Sequence, residues 1–248
     1  MLWRGRQAAH TGPRRTSNRL PSMPFHIGFL IFPNITQLDL AGPYEVLKSV
    51  PDAKVHLIWK TLEPVTAGGG MQMLPTITMA ECPQLDLICV PGGGGTSQLM
   101  ADEDVLNFIR KQAKGVRYLT SVCTGSLVLG AAGLLKGKRA TSHWMSHEML
   151  SAFGATPVHE RVVIDGNLVT GGGVTAGIDF GLVVVAQAFG EDVAKAIQLG
   201  IEYDPSPPFD AGSPGRAGAA LVATARAQAA TRQKERKAAV DAAAEKLI

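Results

Sequence analysis

Short hydrophobic runs alternate along the chain with segments whose apolar residues recur at helical spacing. Segments 26–32 and 85–90 are nearly continuous in hydrophobic residues, and 55–59 and 117–122 are shorter stretches of strand-forming residues. Such runs are typical of parallel strands that are buried on both faces. Because predicted helices separate them, the pattern predicts an α/β fold with a mostly parallel central sheet and helices on both faces.

The same pattern places the helices and hairpins. A helix begins at Leu38 with Pro43 in its first turn, where proline is tolerated. Another presents Val105, Phe108 and Ile109 on one face. Asp165-Gly166 is a strong turn signal at the centre of a β-hairpin. The remaining predictions are a hairpin over 64–80, a helix ending near 153, helices over 174–189 and 192–203, and a long helix from about 219.

Charge divides the chain into three parts. Residues 1–23 contain five arginines and no acid, and residues 216–248 carry seven Lys or Arg against three acids. The segment between them has twelve bases and eighteen acids, although the whole chain has a net charge of +3. We therefore predict a disordered basic extension over 1–23, one α/β domain over 24–215 and a basic C-terminal helix over 216–248. The poor apolar stripe of that helix predicts that it packs on a partner subunit or is partly free.

A cysteine lies on the corner between a predicted strand and a predicted helix. The strand covers 117–122, the helix follows from Thr124, and Gly125 is small enough for a tight turn. Such a corner lies at the carboxyl edge of a parallel sheet, where ligands bind. The helix dipole would lower the pKa of Cys123 from about 8.5 into a range of roughly 3.5–7.5. The alternative is a buried cysteine that acts as a small apolar residue.

Two other strand ends bring candidate groups to the same edge. The loop 91–95, Pro-Gly-Gly-Gly-Gly, includes Gly93 and Gly94 and fits an oxyanion hole, a phosphate site or merely a tight turn. It lacks the Lys-Ser/Thr of a P-loop and the spacing of a dinucleotide fingerprint. Asp39 follows the first strand and is either a helix cap or a proton donor and acceptor for the thiol.

The histidines and cysteines leave few other sites. His143 is the histidine best placed to approach the thiol, either as a catalytic partner or as a packing residue beside Trp144. No His, Cys and carboxylate cluster has the spacing of metal ligands, so we predict no metal and no cofactor. The absence of a disulfide framework favours a reducing, cytoplasmic setting. We interpret Cys89 as a core residue and Cys82 as a loop residue. The remaining histidines are interpreted as strand or surface positions: His26, His56, His147 and His159.

Several segments together resemble the superfamily of class I glutamine-amidotransferase-like cysteine proteins, which includes the PfpI-type proteases. The resemblance covers about residues 25–203. Within the superfamily, the sequence most resembles the group that hydrates isocyanides. The most specific match is the long segment around Cys123, Thr-Ser-Val-Cys-Thr-Gly-Ser-Leu-Val-Leu-Gly-Ala-Ala-Gly-Leu-Leu at 120–135. The other matching segments are Phe-Pro at 32–33, Gln-Leu-Asp-Leu at 37–40, Leu-Ile-Trp-Lys at 57–60, Pro-Gly-Gly at 91–93, Gly-Lys-Arg-Ala-Thr at 137–141, 168–180 and 207–214.

The resemblance implies a flavodoxin-like three-layer sandwich, and it implies roles for single residues. Cys123 would be the nucleophile, and Asp39 would replace the glutamate that usually contacts the thiol. Thr124, which stands where the proteases have histidine, would line the anion site and argues against proteolysis. The glycine-loop amides, with Gly93 and Gly94, would line the same anion site. From their positions in the sequence, we also predict that His143 and Gly172 line the substrate side. The implied reaction is hydration of an isocyanide to an N-substituted formamide through a thioimidate on Cys123.

Two other functions remain open at this stage. One is a redox sensor or glyoxal-handling protein, in which Cys123 is oxidised to a sulfinate. The other is the ligand-binding domain of an AraC-type transcriptional regulator, which needs a helix-turn-helix domain after residue 215. The acidic segment 24–215 offers no basic surface for binding nucleic acid. No apolar stretch of the sequence approaches the roughly 20 residues of a membrane span. We therefore expect a small-molecule substrate as the partner and, from the resemblance, a homodimer.

Overall fold

The computed structural model describes residues 24–247, so the predicted disorder of 1–23 lies outside the described residues. The strands are β1 (Phe25–Leu30), β2 (Ala53–Trp59), β3 (Val65–Thr66), β4 (Gln72–Met73), β5 (Ile77–Thr78), β6 (Leu87–Val90), β7 (Tyr118–Val122), β8 (Arg139–Ala140), β9 (Thr156–Pro157), β10 (Val162–Asp165) and β11 (Leu168–Gly171). The helices are α1 (Gln37–Leu47), α2 (Thr96–Leu99), α3 (Glu103–Ala113), α4 (Gly125–Ala131), α5 (Ala176–Phe189), α6 (Glu191–Gly200), α7 (Pro214–Ala217) and α8 (Ala219–Glu245). Two segments, Gly68–Gly70 and His147–Phe153, are 3₁₀ helices.

A seven-stranded sheet forms the centre, in the order β10-β11-β7-β6-β1-β2-β5. Every neighbouring pair is parallel except β10 with β11. Helices α1, α5 and α6 pack together, and α2, α3, α4 and α8 form a second group. The predicted three-layer α/β sandwich, with helices on both faces of a mostly parallel sheet, is confirmed. The fully buried strands β6 and β11 explain why those parts of the sequence show no polar alternation.

Two local predictions need correction. Helix α1 begins at Gln37, so Pro43 lies in its interior rather than in its first turn and removes the amide that would bond to the Asp39 carbonyl. The segment after Trp144 folds as the 3₁₀ helix His147–Phe153 rather than as an α-helix. It ends at Gly154, whose φ of 71° favours glycine. By contrast, the hairpin of β10 and β11 turns at Gly166, as its sequence predicts.

The basic helix α8 is 27 residues long and packs on its own chain, so it is not free. It contacts α2, α4 and the 3₁₀ segment, and it buries Ala229, Arg236, Val240 and Ala243. Small side chains let the helix approach closely without a wide apolar stripe, which is why its periodicity is weak. Among residues 24–247, no helix combines the length and the hydrophobicity that crossing a membrane requires.

Candidate active site

Cys123 lies on a sharp turn between β7 and α4. Its φ is 57°, a left-handed conformation that is rare for a residue with a side chain and that is often found at functional sites. Its amide donates to the carbonyls of Gly171 (3.0 Å) and Gly172 (2.8 Å). The hydroxyls of Ser142 and Ser126 donate to its carbonyl at 3.0 and 3.1 Å. The surrounding structure therefore fixes the strained backbone and points the thiol at the carboxyl edge of the sheet.

Glycines make this turn possible by letting backbone segments approach one another. A Cβ at Gly125 would overlap the carbonyl oxygen of Val90 on the neighbouring strand. A Cβ at Gly92 would lie 2.7 Å from Asp39 Oδ2 and 2.6 Å from the Thr124 nitrogen. The glycine loop therefore brings the start of α4 and the carboxyl of Asp39 to the same point.

Asp39 lies behind the thiol and is completely buried. Its Oδ2 accepts a hydrogen bond from the Gly92 amide at 2.9 Å. Oδ1 has no partner within the usual hydrogen-bond limits among residues 24–247. The Cys123 thiol nevertheless lies close enough to interact with the carboxyl. No side-chain cap bond forms at the start of α1, so the interpretation of Asp39 as a helix cap is wrong.

The predicted anion-binding groups have specific partners. The Gly93 amide donates to Thr124 Oγ1 at 3.1 Å, and the Gly172 amide donates to the Arg161 carbonyl at 2.8 Å. Neither amide is therefore free for a bound anion as the structure stands. The backbone N–H groups of Val174 and Thr124 point at the Cys123 sulfur instead. Thr124 thus ties the glycine loop to the turn by its hydroxyl and faces the sulfur with its amide.

A small cavity of about 270 Å³ opens at the thiol. Cys123 lines it but is only 5% exposed. Gly93, Gly94, Thr124 and His143 also line it, so the structure brings these predicted residues to one place. The walls are completed by Thr36, Val174, Arg232, Gln233 and Arg236. A second cavity of about 600 Å³ shares His143 and Val174 with the first.

His143 has the properties of a neutral wall residue rather than of a base. Its Nδ1 accepts from the Met145 amide at 3.3 Å, so the proton of the neutral ring belongs on Nε2. Burial, together with Arg236 and Arg232, lowers the pKa of His143 to about 4. A ring with so low a pKa accepts a proton poorly at neutral pH. The alternative of a packing or donor residue therefore fits better than a Cys–His pair.

Arg236 of α8 is a functional candidate that the sequence reasoning missed. Its side chain is 5% exposed and donates from Nη2 to the Gly93 carbonyl and from Nη1 to Ser146, both at 3.3 Å. Its Nε is buried without a partner among residues 24–247. None of the ion pairs in this part of the chain includes it. A buried cation without a carboxylate is costly, so an anion in the cavity would stabilise it.

The sequence segment that builds this turn identifies the family. Residues 26–187, which include β1, β6, β7 and the turn at Cys123, match the DJ-1/PfpI family. This chain belongs to the DJ-1/PfpI family. Helix α8 and Arg236 lie beyond the matched segment, so the family pattern does not supply them.

Two curated relatives of this chain differ in how much of their length corresponds to it. The isonitrile hydratase of Pseudomonas putida is 58% identical over 91% of this chain and 99% of its own length. The HTH-type transcriptional regulator GbdR of Pseudomonas aeruginosa is 34% identical over 73% of this chain but only 51% of its own length. The chain therefore spans nearly the whole of the first relative and about half of the second.

Solved structures agree with the family assignment. A THiJ/PfpI family protein from Pseudomonas syringae has a TM-score of 0.86 and 42% identity over 93% of this chain and 98% of its own. Drosophila melanogaster DJ-1beta has a TM-score of 0.67 and 23% identity over 74% of this chain and 100% of its own, which supports the fold alone.

Electrostatics at this DJ-1/PfpI site correct the prediction of an acidic thiol. Burial, and then the neighbouring Asp39 carboxylate, raises the pKa of Cys123 to about 12, outweighing the amides of Val174 and Thr124. Burial raises the pKa of Asp39 from 3.8 to about 6, against the lowering effect of hydrogen bonds from Cys123 and Gly92. At neutral pH the pair therefore holds one proton on sulfur beside a carboxylate that can accept it.

We predict that Asp39→Asn stabilises the fold above pH 6. Because the folded pKa of Asp39 is raised, the contribution of this group to stability is fully present below pH 3.8 and is lost as pH rises through about 6. A pKa shift of about two units corresponds to roughly 3 kcal/mol in the free energy of unfolding. Asparagine stays neutral, so the variant should not lose this stability at high pH. Urea unfolding of both proteins at pH 4.5 and pH 7.5 measures this difference. The control Asp104→Asn, at an exposed ion pair, should show no such pH-dependent gain.

Proposed function

We propose that this protein hydrates isocyanides to N-substituted formamides. The observation that carries the proposal is the 58% identity to the isonitrile hydratase of Pseudomonas putida along 99% of that enzyme. The geometry is compatible, because the thiol lines the cavity on a rigid turn and interacts with the buried carboxyl of Asp39. The direct test is formation of formamide from para-substituted phenyl isocyanides, with one atom of ¹⁸O incorporated from labelled water.

In the proposed reaction, Asp39 first acts as a base. Its carboxylate takes the proton of Cys123, and the sulfur attacks the terminal carbon of the isocyanide. The Asp39 carboxylic acid then returns that proton to the same carbon, giving a thioimidate with a new S–C bond. The amides of Val174 and Thr124 stabilise the transient thiolate. Because the proton moves within the pair, the high pKa of the thiol does not prevent the attack.

Water completes the cycle. It adds to the thioimidate carbon while Asp39 takes one of its protons and the nitrogen gains a proton. The tetrahedral intermediate then expels sulfur, which recovers its proton, and releases the N-substituted formamide. One positioned acid–base group of this kind contributes about 10²–10⁴-fold in rate. The net reaction is one isocyanide plus one water, with no change of oxidation state of the protein.

The site offers less support for the two alternative functions. Formation of a sulfinate requires an accessible thiolate, whereas Cys123 is buried and its pKa is raised. Among residues 24–247 the segment after Pro214 forms α7 and the single long helix α8, which packs on the body, rather than a helix-turn-helix. Mass spectrometry after mild peroxide and a methylglyoxal assay would detect the first function, and a salt-dependent DNA shift assay the second.

We propose that α8 belongs to the same functional unit as the α/β domain, because Arg236 contacts the glycine loop. A cytoplasmic homodimer remains a prediction. Exposed apolar side chains such as Leu199 and Phe209 are compatible with a subunit interface. Light scattering of the purified chain would give its mass in solution.

We predict that Arg236→Met lowers kcat/KM by about ten- to a hundredfold, because a charge-assisted interaction is worth about 1.5–3 kcal/mol. The variant should also raise the apparent pKa of Cys123, because the guanidinium lies in the cavity wall and interacts electrostatically with the Cys123 thiolate. The pH dependence of alkylation by iodoacetamide measures that pKa. Arg236→Lys should recover part of both effects.

Lys234→Met is the matched control, since Lys234 is an exposed cation on the same helix. An unchanged alkylation profile in Arg236→Met would contradict an electrostatic role for Arg236, even if the activity fell.

A further inference from the structure

Two histidines and a glutamate converge beside the larger cavity, away from the thiol. His147 and Glu148 begin the 3₁₀ segment, and His159 lies in the loop between β9 and β10. One ligand atom from each lies within 4.8 Å of the others. Glu148 Oε1 is 3.5 Å from His147 Nδ1 and 3.4 Å from His159 Nε2. The sequence spacing predicts no metal cluster, but folding brings these three residues together.

The tautomer of His147 makes the cluster unusual. Its Nε2 lies 2.8 Å from the Val158 carbonyl, which can only accept a hydrogen bond, so Nε2 carries the proton. In the neutral ring, Nδ1 is then an acceptor. This Nδ1 is buried without a hydrogen-bond partner among the described residues, and His147 as a whole is only 2% exposed. Two acceptors, Nδ1 and the Glu148 carboxylate, therefore face each other with no donor between them.

A cation resolves this arrangement. The bond from Nε2 to a backbone carbonyl is the usual outer contact of a histidine that binds a metal through its other nitrogen. Zinc–ligand bonds of about 2.0–2.2 Å in a tetrahedron place the ligand atoms about 3.4 Å apart. The two distances to Glu148 Oε1 match that spacing. The His147 and His159 rings are stacked, with centroids 3.8 Å apart, so the His159 side chain must rotate to aim its lone pair at the same point. It can do so because its side chain is 75% exposed.

We propose that His147, Glu148 and His159 bind one divalent transition-metal cation such as zinc. Two imidazole ligands favour zinc, copper, iron or nickel over magnesium or calcium. Three protein ligands leave a fourth position, which would face the cavity of about 600 Å³ that His147 and His159 line. The proposal is independent of isocyanide hydration, because it uses neither Cys123 nor Asp39.

The test is zinc titration of the untagged full chain after removal of metal with EDTA, followed by equilibrium dialysis. We expect one zinc per chain and a rise in Tm on adding zinc. His159→Gln and Glu148→Gln should each weaken zinc binding by at least about tenfold and abolish the rise in Tm. These variants are preferred to His147→Gln, since both side chains are exposed and their replacement leaves the core intact.

Two controls make the result decisive. His26→Gln removes a histidine of β1 outside the cluster and should bind zinc like the wild type. Cys123→Ser removes the thiol, which could itself bind zinc, and should also retain the site. Failure to bind zinc at micromolar concentration, equal binding by His159→Gln and the wild type, or loss of binding in Cys123→Ser would each overturn the proposal.

Discussion

Replacing Cys123 by alanine is expected to abolish hydration of phenyl isocyanide, with a loss of at least about 10⁴-fold in kcat. The proposed S–C bond cannot form without the sulfur, and no other described thiol lines the cavity at the turn. Cys82 and Cys89, the other described cysteines, are buried elsewhere, and burial raises their pKa values to about 11 and about 12. Steady-state formation of the formamide measures the loss.

Cys82→Ala is the matched control and should retain activity. In Cys123→Ala, alanine keeps the Cβ of the cysteine. The backbone, with its φ of 57° and the two hydrogen bonds donated by its amide, should therefore persist. Circular dichroism and Tm check that the variant is folded. Turnover by folded Cys123→Ala within tenfold of the wild type would reject covalent catalysis by this residue, and with it the mechanism proposed here.

Asp39→Asn is expected to leave a thiol that can be alkylated but to lower turnover by about 10²–10⁴-fold. The amide oxygen of asparagine can still accept from the Gly92 amide, so the turn is retained. What is lost is the group that takes the thiol proton and returns it to carbon. In the wild type, kcat/KM should fall below pH 6, where the carboxylate becomes protonated. The variant should lack this acid limb.

The pH profile separates this role from a structural one. Asp104→Asn, which changes an exposed carboxylate, should reproduce the wild-type profile. If Asp39→Asn keeps both its rate and its acid limb, the carboxyl of Asp39 does not carry the proton. Together with the expected gain in stability above pH 6, a loss of activity would show that the buried charge is kept for chemistry at the expense of the fold.

Local patterns in the sequence predicted most of the architecture. The hydrophobic runs predicted the buried strands, and Asp165-Gly166 predicted the hairpin of β10 and β11, because both depend on nearest neighbours in the chain. The strand-to-helix corner at Cys123 was also readable, since small residues follow it directly. Pro43 was misplaced because the start of α1 is decided by the packing around it and not by a local cap.

The direction of the Cys123 pKa was wrong for a physical reason. The sequence shows that a helix begins beside the thiol, and this effect lowers the pKa. It does not show that the sulfur is buried against a carboxylate, and this opposite effect is larger. Five of the predicted site residues line the cavity at the thiol, whereas Gly172 lines the larger cavity and Asp39 is buried without lining either one. Hydrogen bonding to Thr124 and Arg161 engages the amides of Gly93 and Gly172, which spacing alone cannot reveal.

The sequence by itself determined the order of strands and helices, the strand-to-helix corner at Cys123 and the family, because each of these depends on short contiguous segments. Only the tertiary structure decided which distant groups meet. Arg236 reaches the Gly93 carbonyl across 143 positions of the chain, and His159 meets His147 across a loop. Burial, charge coupling and metal-ligand geometry depend on distances in space, and separations along the chain do not encode them until the sheet and its helices have packed.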